Sequence, residues 1–296
     1  MKSGFVAIIG RPNVGKSTLL NAIIGEKVAI TADKPQTTRN RIRGIYTEHS
    51  ADGDWQIVFL DTPGITTPRN KLGEYMARTA LTTLGEVDAI LFLTDEDRPR
   101  QAGDAFIYER LAQTDTPCIL VLNKTDCMSP DAFKTCYDDW EGTGRFSAVF
   151  GAQALNGAGV PEILAALKRH IGEGPQYFPD DIATDHPERF LVTEIIREKL
   201  LHYLHEEVPH GIAVEIESYE EKPQLTEIGA VILAEKKSHK GIIIGKDGRK
   251  LQGVGKAARE EIEALLGTKV YLRLWVKVRE NWRDSDFHLG SLGYRD

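Results

Sequence analysis

The chain has 296 residues, 41% of them hydrophobic and 27% charged, with 37 Lys and Arg against 44 Asp and Glu. That length accommodates two domains, and the balance excludes an intrinsically disordered chain. Apolar runs such as residues 89–93 and 118–122 fall far short of the about 18 residues that a bilayer span needs. No secretory pattern precedes the first strand-like run. Cys118, Cys127 and Cys136 form neither a disulfide framework nor CxxC metal spacing, so a reducing cytosol is the expected compartment.

Charge is unevenly placed. Residues 235–283 carry 13 Lys and Arg against 6 Asp and Glu, whereas the first 234 residues carry a net charge of −12. Such asymmetry assigns contact with a polyanion to the second part alone, against the plainer reading of a solvated basic face.

In chain order, residues 5–9, 55–60, 89–93 and 119–122 read as buried strands, with helical patterns at 17–24 and 105–112 between them and a closing helix at 163–170. Alternation of strand and helix predicts an α/β domain with a mixed, mostly parallel sheet and helices on both faces. Two glycines, two prolines and several acids within 172–181 mark a linker, bounded at 173–187. The second part reads differently. A helix at 190–205 leads to strands at 212–216 and 228–234, a short helix before Gly245, a helix at 250–266 and a strand at 270–278. The long helix places Leu251, Val254, Ala258, Ile262 and Leu265 on one stripe. The order is α-β-β-α-α-β. Boundaries are set at 1–172, 173–187, 188–283 and a tail at 284–296.

Gly10-Arg11-Pro12-Asn13-Val14-Gly15-Lys16-Ser17 matches G-x-x-x-x-G-K-[ST], with a strand before it and a helix, starting through Thr18, after it. Backbone N–H groups curl round phosphate oxygens, the helix N-terminus adds partial positive charge, Lys16 reaches the β- and γ-phosphates, and Ser17 ligates Mg²⁺. The motif specifies a nucleoside triphosphate and leaves the base open.

Asn123-Lys124-Thr125-Asp126 follows an apolar strand and resembles the N-K-x-D element of GTPases of the translation-factor-related class. The Asp126 carboxylate can accept two parallel hydrogen bonds from guanine, a donor pair that adenine lacks. Asn123 would tie this loop to the phosphate loop, and Lys124 would lay its stem over the ring. Asp61-Thr62-Pro63-Gly64 resembles the D-x-x-G element, with Asp61 holding Mg²⁺ through water and the Gly64 N–H sensing the γ-phosphate. In the polar stretch Lys34-Pro35-Gln36-Thr37-Thr38-Arg39, a switch threonine should ligate Mg²⁺ only while the γ-phosphate is present; Thr38 is favoured and Thr37 is second. The fifth element, a backbone N–H for guanine O6, is placed at Ala154, with Ser147-Ala148 as the rival. Lys16, Thr38 and Gly64 are the expected catalytic set. Ile65 stands where related enzymes place a water-orienting Gln, which predicts slow intrinsic turnover. Asn13 stands where related GTPases use an Asn to help hold K⁺, which makes it a candidate K⁺ ligand; otherwise it simply stiffens its loop.

In the basic block, Ile244-Gly245-Lys246-Asp247-Gly248-Arg249-Lys250 puts a G-x-x-G turn between two helices. Glycines admit a nucleic-acid backbone, the cations supply charge, and the apolar run 242–244 could floor a groove for bases. This is the logic of a type II KH domain. Trp275 and Trp282 are read as packing or solvent-facing rather than stacking residues.

Taken with the motifs above, the linker E-G-P-Q-Y-F-P, D-H-P-E-R-F, G-I-I-I-G-K-D-G, the run A-L-L-G-T-K-V-Y-L-R-L-W-V-K-V and Asn281-Trp282-Arg283 extend a resemblance along the whole chain. It resembles the Era-like family of bacterial GTPases, in the TrmE-Era-EngA class, which join a P-loop GTPase domain to a C-terminal α+β type II KH domain. The resemblance implies GTP hydrolysis with Mg²⁺, binding near the 3′ end of 16S rRNA, a role in 30S subunit assembly, and peripheral contact with the inner face of the membrane. The rival readings are an RNA-binding scaffold with a vestigial pocket and a P-loop kinase of a small metabolite.

Overall fold

In a computed structural model, residues 1–51, 53–96 and 102–295 are described. Two compact units divide the chain. One comprises Met1–Thr31, Thr38–Pro68 and Met76–Asp185; the other comprises Ala32–Thr37, Arg69–Tyr75 and His186–Asp296.

The first unit is built on the strands β1 (Lys2–Gly10), β2 (Ile42–Ser50), β3 (Gly53–Asp61), β4 (Ala89–Thr94), β5 (Cys118–Leu122) and β6 (Ala148–Gly151), in the spatial order β2-β3-β1-β4-β5-β6. Only the β2–β3 pair is antiparallel. Every residue of β4 and β5 is buried, as expected of parallel strands covered on both faces. The helices are α1 (Lys16–Ile24), α2 (Lys71–Thr83), α3 (Ala102–Leu111), α4 (Pro130–Glu141) and α5 (Val160–Leu167), with the first turn of α2 belonging to the other unit. Ala7, Ile9, Ile90, Phe92, Leu120 and Leu122 alternate toward one face and pack with Ala80, Ile107, Leu111, Cys136 and Trp140 from α2, α3 and α4. Helix α1 packs on β1–β3 and against α5. Local signals start α4: Pro130 occupies the first turn and the Ser129 hydroxyl accepts from Ala132 N.

Residues 172–185 are strapped to this unit. Gln56, wholly buried, accepts from the N–H groups of Tyr177 (2.7 Å) and Phe178 (2.9 Å) and donates to the Phe178 carbonyl. Ile45 N donates to Ala183 O at 2.8 Å. The expected linker is therefore mostly anchored backbone, because a buried amide satisfies three of its polar groups at once.

The second unit contains α6 (Glu188–Tyr203), β7 (Ile212–Lys222), β8 (Leu225–Ala234), α7 (Lys237–Ile244), α8 (Arg249–Leu266), β9 (Lys269–Val278) and a short α9 (Asp286–Ser291). The sheet order is β7-β8-β9, antiparallel then parallel, which realises the expected α-β-β-α-α-β order. Val254, Ala258 and Ile262 of α8 are fully buried, whereas Leu265 is 41% exposed and the stripe ends one turn early. Trp282 is buried, with Nε1–H donating to Gly211 O at 3.0 Å, so it packs.

The same unit takes in the stretch 32–37. Arg197 of α6, completely buried, donates from its guanidinium to the carbonyls of Thr37 and Gln36 and to both oxygens of Glu194. Gln36 sits in the left-handed region at φ 64°. The stretch 69–75 makes a second set of contacts. Lys71 Nζ meets Asp286 at 2.5 Å, Lys71 N donates to Asp284, and the Tyr75 ring lies 6.0 Å from that of Tyr294.

Candidate functional site

The phosphate loop joins β1 to α1 and brings Lys16 and Ser17 into the first turn of the helix. Gly15 caps that helix at φ 99°, and a Cβ there would fall 2.2 Å from Asn123 Nδ2. Only glycine lets the two nucleotide loops meet so closely. Asn123 Nδ2 donates to Val14 O at 2.8 Å, and Lys124 Nζ donates to Asn13 O at 2.7 Å. The loops expected to hold phosphate and base therefore form one site.

Ser17, Thr38 and Asp61 converge in the same unit. Ser17 Oγ donates to Asp61 Oδ2 at 2.6 Å and lies 2.8 Å from Thr38 Oγ1. All three residues are buried, and Asp61 Oδ1 has no hydrogen-bond partner among the described residues. Two hydroxyls and an orphaned carboxylate oxygen are hard donors of the type Mg²⁺ takes, so the residues fit that ion. Thr37, the second candidate, turns away: its hydroxyl donates to Lys34 O at 2.6 Å.

Electrostatics point the same way. Burial pushes the Lys16 ammonium down to about 8, against the favourable charge of Asp61. Burial also raises Asp61 to about 6, opposed by Lys16 and by the Ser17 hydrogen bond. Lys16 Nζ meanwhile caps the carbonyls of Arg11 (2.9 Å) and Gly10 (3.3 Å). A phosphate chain offers the lysine stronger acceptors, and a bound cation restores the carboxylate.

Thr62, Pro63 and Gly64 are buried at the end of β3, with Thr62 Oγ1 donating to Ile8 O at 2.9 Å and Ile65 N donating to Gly10 O at 3.1 Å. The Ile65 side chain lies in the apolar core and is only 3% exposed, so it does not face a nucleophilic water. Asp126 is exposed beside the base loop, Asn13 is exposed at φ 65°, and Thr18 is half-buried on α1.

Two expectations gain detail. The Ala154 N–H donates to Asn123 Oδ1 at 3.0 Å. This amide braces the base loop where the fifth element was expected; the rival Ala148 begins β6. Second, residues 242–244 do not share one face. Ile243 is buried and Ile242 is 44% exposed, because successive residues on a helix point about 100° apart. The groove beside the G-x-x-G turn encloses about 430 Å³ and runs along α8 and β9, lined by Gly248, Leu251, Gln252, Lys256, Arg259 and Leu272 among others. Lys246, Asp247 and Arg249 are exposed at the turn, and Gly245 and Gly248 take positive φ.

Arg11 was missed as a hub. Its side chain turns to Asp95, Glu96 and Asp104 rather than toward the Ser17–Asp61 cluster. Arg197 was missed as well, since its backbone acceptors leave no mark in a sequence.

Family models agree with this layout. A 50S ribosome-binding GTPase model matches residues 5–124, and a KH domain model matches residues 207–283. GTPase Era of Alkaliphilus oremlandii (strain OhILAs) is 56% identical over 295 residues, covering 99% of both chains. GTPase Era of Clostridioides difficile (strain 630) is 50% identical over 298 residues, covering 100% of this chain and 99% of its own. Among solved structures, a variant of Aquifex aeolicus Era bound to GDP·AlF4⁻ superposes with a TM-score of 0.94 at 38% identity, covering all of both chains. Era in complex with MgGDPNP and nucleotides 1506–1542 of 16S ribosomal RNA gives 0.95 at 39% identity, again over all of both chains. With the nucleotide loops, the magnesium-type oxygen cluster and the KH fold in one chain, and with relatives 50–56% identical end to end, the chain belongs to the GTPase Era family.

Proposed function

We propose that this GTPase is a GTP-controlled RNA-binding factor that takes single-stranded 16S rRNA near its 3′ end and assists assembly of the 30S subunit. The observation that carries the reading is the full-length match to an Era chain solved with MgGDPNP and nucleotides 1506–1542 of 16S ribosomal RNA.

In this reading Lys16 and the amides of residues 10–17 hold the phosphates, and Ser17 and Thr38 ligate Mg²⁺ while Asp61 reaches it through water. Mg²⁺ neutralises charge between the β- and γ-phosphates. Gly64 offers its N–H to the γ-phosphate. Asp126 selects guanine, with Lys124 over the base and Asn123 holding the two loops together. Because Ile65 supplies no group to orient water, this chain's own residues bind and position GTP but leave attack slow. Thr38 keeps its hydroxyl at Ser17 and Asp61 while the γ-phosphate persists and is released after hydrolysis. At the KH turn, Lys246, Arg249 and Lys250 meet phosphates while the groove along α8 and β9 receives bases.

The experiment is crosslinking to RNA in cells followed by sequencing of the captured fragment, joined to RNA titrations with GTP analogue and with GDP. Recovery of the 16S 3′ end and a nucleotide-dependent affinity are expected; random RNA, or equal affinities, would overturn the reading. Two finer points come from the resemblance. Asn13 holds K⁺, tested by comparing hydrolysis in K⁺ and Na⁺, where equal rates remove it. The protein also touches the inner membrane surface peripherally, tested by flotation with anionic vesicles; no helix among the described residues is long and apolar enough to cross a membrane.

A further inference from the structure

Arg11 lies inside the phosphate loop, yet three carboxylates claim its guanidinium. Nε donates to Asp104 Oδ1 at 2.8 Å, and Nη2 lies 2.9 Å from Asp95 Oδ1 and 2.7 Å from Glu96 Oε1. The Asp104 side chain is 1% exposed and also takes the Thr94 hydroxyl. The seat is shaped for the arginine stem: a Cβ on Gly103 would fall 2.4 Å from Arg11 Cδ. A cation placed this way is occupied, and it reaches three segments, the end of β4, the start of α3 and its own loop.

Asp95 carries the connection onward. While Oδ1 takes Arg11, Oδ2 takes Lys124 Nζ at 2.6 Å. The same ammonium donates to Asn13 O, and Lys124 itself sits in the left-handed region at φ 57°. The Lys124 and Asp95 side chains are 42% and 21% exposed. Alone, such a pair is worth little, because solvent screening and side-chain entropy offset the attraction. A carboxylate already fixed from its other side costs the lysine less to engage.

We propose that Arg11 is a positioning residue for the nucleotide base: it fixes Asp95, and Asp95 in turn holds the Lys124 ammonium so that the lysine stem stays over the purine. This goes beyond the phosphate role that its place in the motif suggests, and it rests on the reading of this pocket as a guanine-nucleotide site.

A fluorescent GDP analogue and stopped-flow release test it with the full chain. Release from the unaltered protein checks the underlying reading, since absence of binding would sink that reading and not the Arg11 assignment alone. Arg11→Ala is expected to speed release about tenfold, whereas in a Lys124→Ala background the same change should act about twofold or less. Arg11→Lys should recover little, because one ammonium cannot serve Asp95 and Asp104 together. Asp95→Asn, which keeps the shape, should reproduce the Arg11→Ala effect and guards against misfolding of the larger change. A merely loop-stiffening arginine gives the same factor with or without Lys124. That additivity, or unaltered release from Asp95→Asn, overturns the proposal.

Discussion

The Arg197 guanidinium donates to the carbonyl of Thr37, the residue immediately before Thr38. A fully buried cation thus spends its donors on main chain, at Thr37 and Gln36, and on one carboxylate, Glu194. Arg197→Met leaves those acceptors unpaired around a side chain that is 0% exposed. It is expected to destabilise the protein by about 3–5 kcal/mol, as breaking a buried pair does. Urea denaturation measures it, and Arg197→Lys should recover only part, since an ammonium lacks the planar fork.

Asp126 sets the base. Asp126→Asn replaces an acceptor of two hydrogen bonds with a side chain that presents an N–H to guanine donors. GTP affinity should fall by about 100-fold or more, while xanthosine triphosphate, which offers a carbonyl where guanine has its amine, should bind better than GTP. Nucleotide competition decides it, and unchanged GTP preference would remove Asp126 from the base contact.

Asp61 carries a stability cost when neither nucleotide nor metal is present. Burial raises its pKa to about 6 from an ordinary 3.8, so between those values the folded state binds more protons than the unfolded state. Its contribution therefore worsens as pH rises through that window. In metal-free, nucleotide-free protein, Asp61→Asn should raise the melting temperature at pH 7, and the gain should vanish below about pH 4. The same variant should lose Mg²⁺-dependent nucleotide binding. Melting curves across pH test the sign; a lower melting temperature at pH 7 contradicts it.

The cations at the KH turn are exposed and contact phosphates in the proposed complex. Replacing Lys246 and Arg249 with Ala should weaken RNA binding for all sequences alike, and should reduce the slope of log affinity against log salt by about 0.7 per lost contact on a single strand. Titration at several salt concentrations reads the slope. A change confined to one RNA sequence would mean base reading instead.

Much of this architecture was visible in the chain because its signals are local. The Gly10–Ser17 motif needs only its own eight residues and a flanking strand and helix, and β4 and β5 are nearly continuous apolar runs. Other parts had no local signature. Strand β2, Ile-Arg-Gly-Ile-Tyr-Thr-Glu-His-Ser, is an edge strand pairing on one side only, so half its residues are polar and no clean alternation survives. Arg197 and Glu198 are 0% and 1% exposed, yet sequence alone reads adjacent charges on a helix as a solvated face. That the Ala154 N–H braces Asn123 is equally invisible, since a backbone N–H looks the same whichever acceptor it finds.

Segments 32–37 and 69–75 are part of the second compact unit although they come early in the chain. Proteolysis or gene truncation at the junction near residue 185 therefore cannot yield two whole halves. The carboxy-terminal fragment would lack the main-chain acceptors that Arg197 satisfies and the tyrosine that meets Tyr294, and the amino-terminal fragment would carry two stretches with nothing to fold against. Mixing separately produced pieces should restore order to both, whereas either piece by itself would be a poor stand-in for its share of the intact molecule.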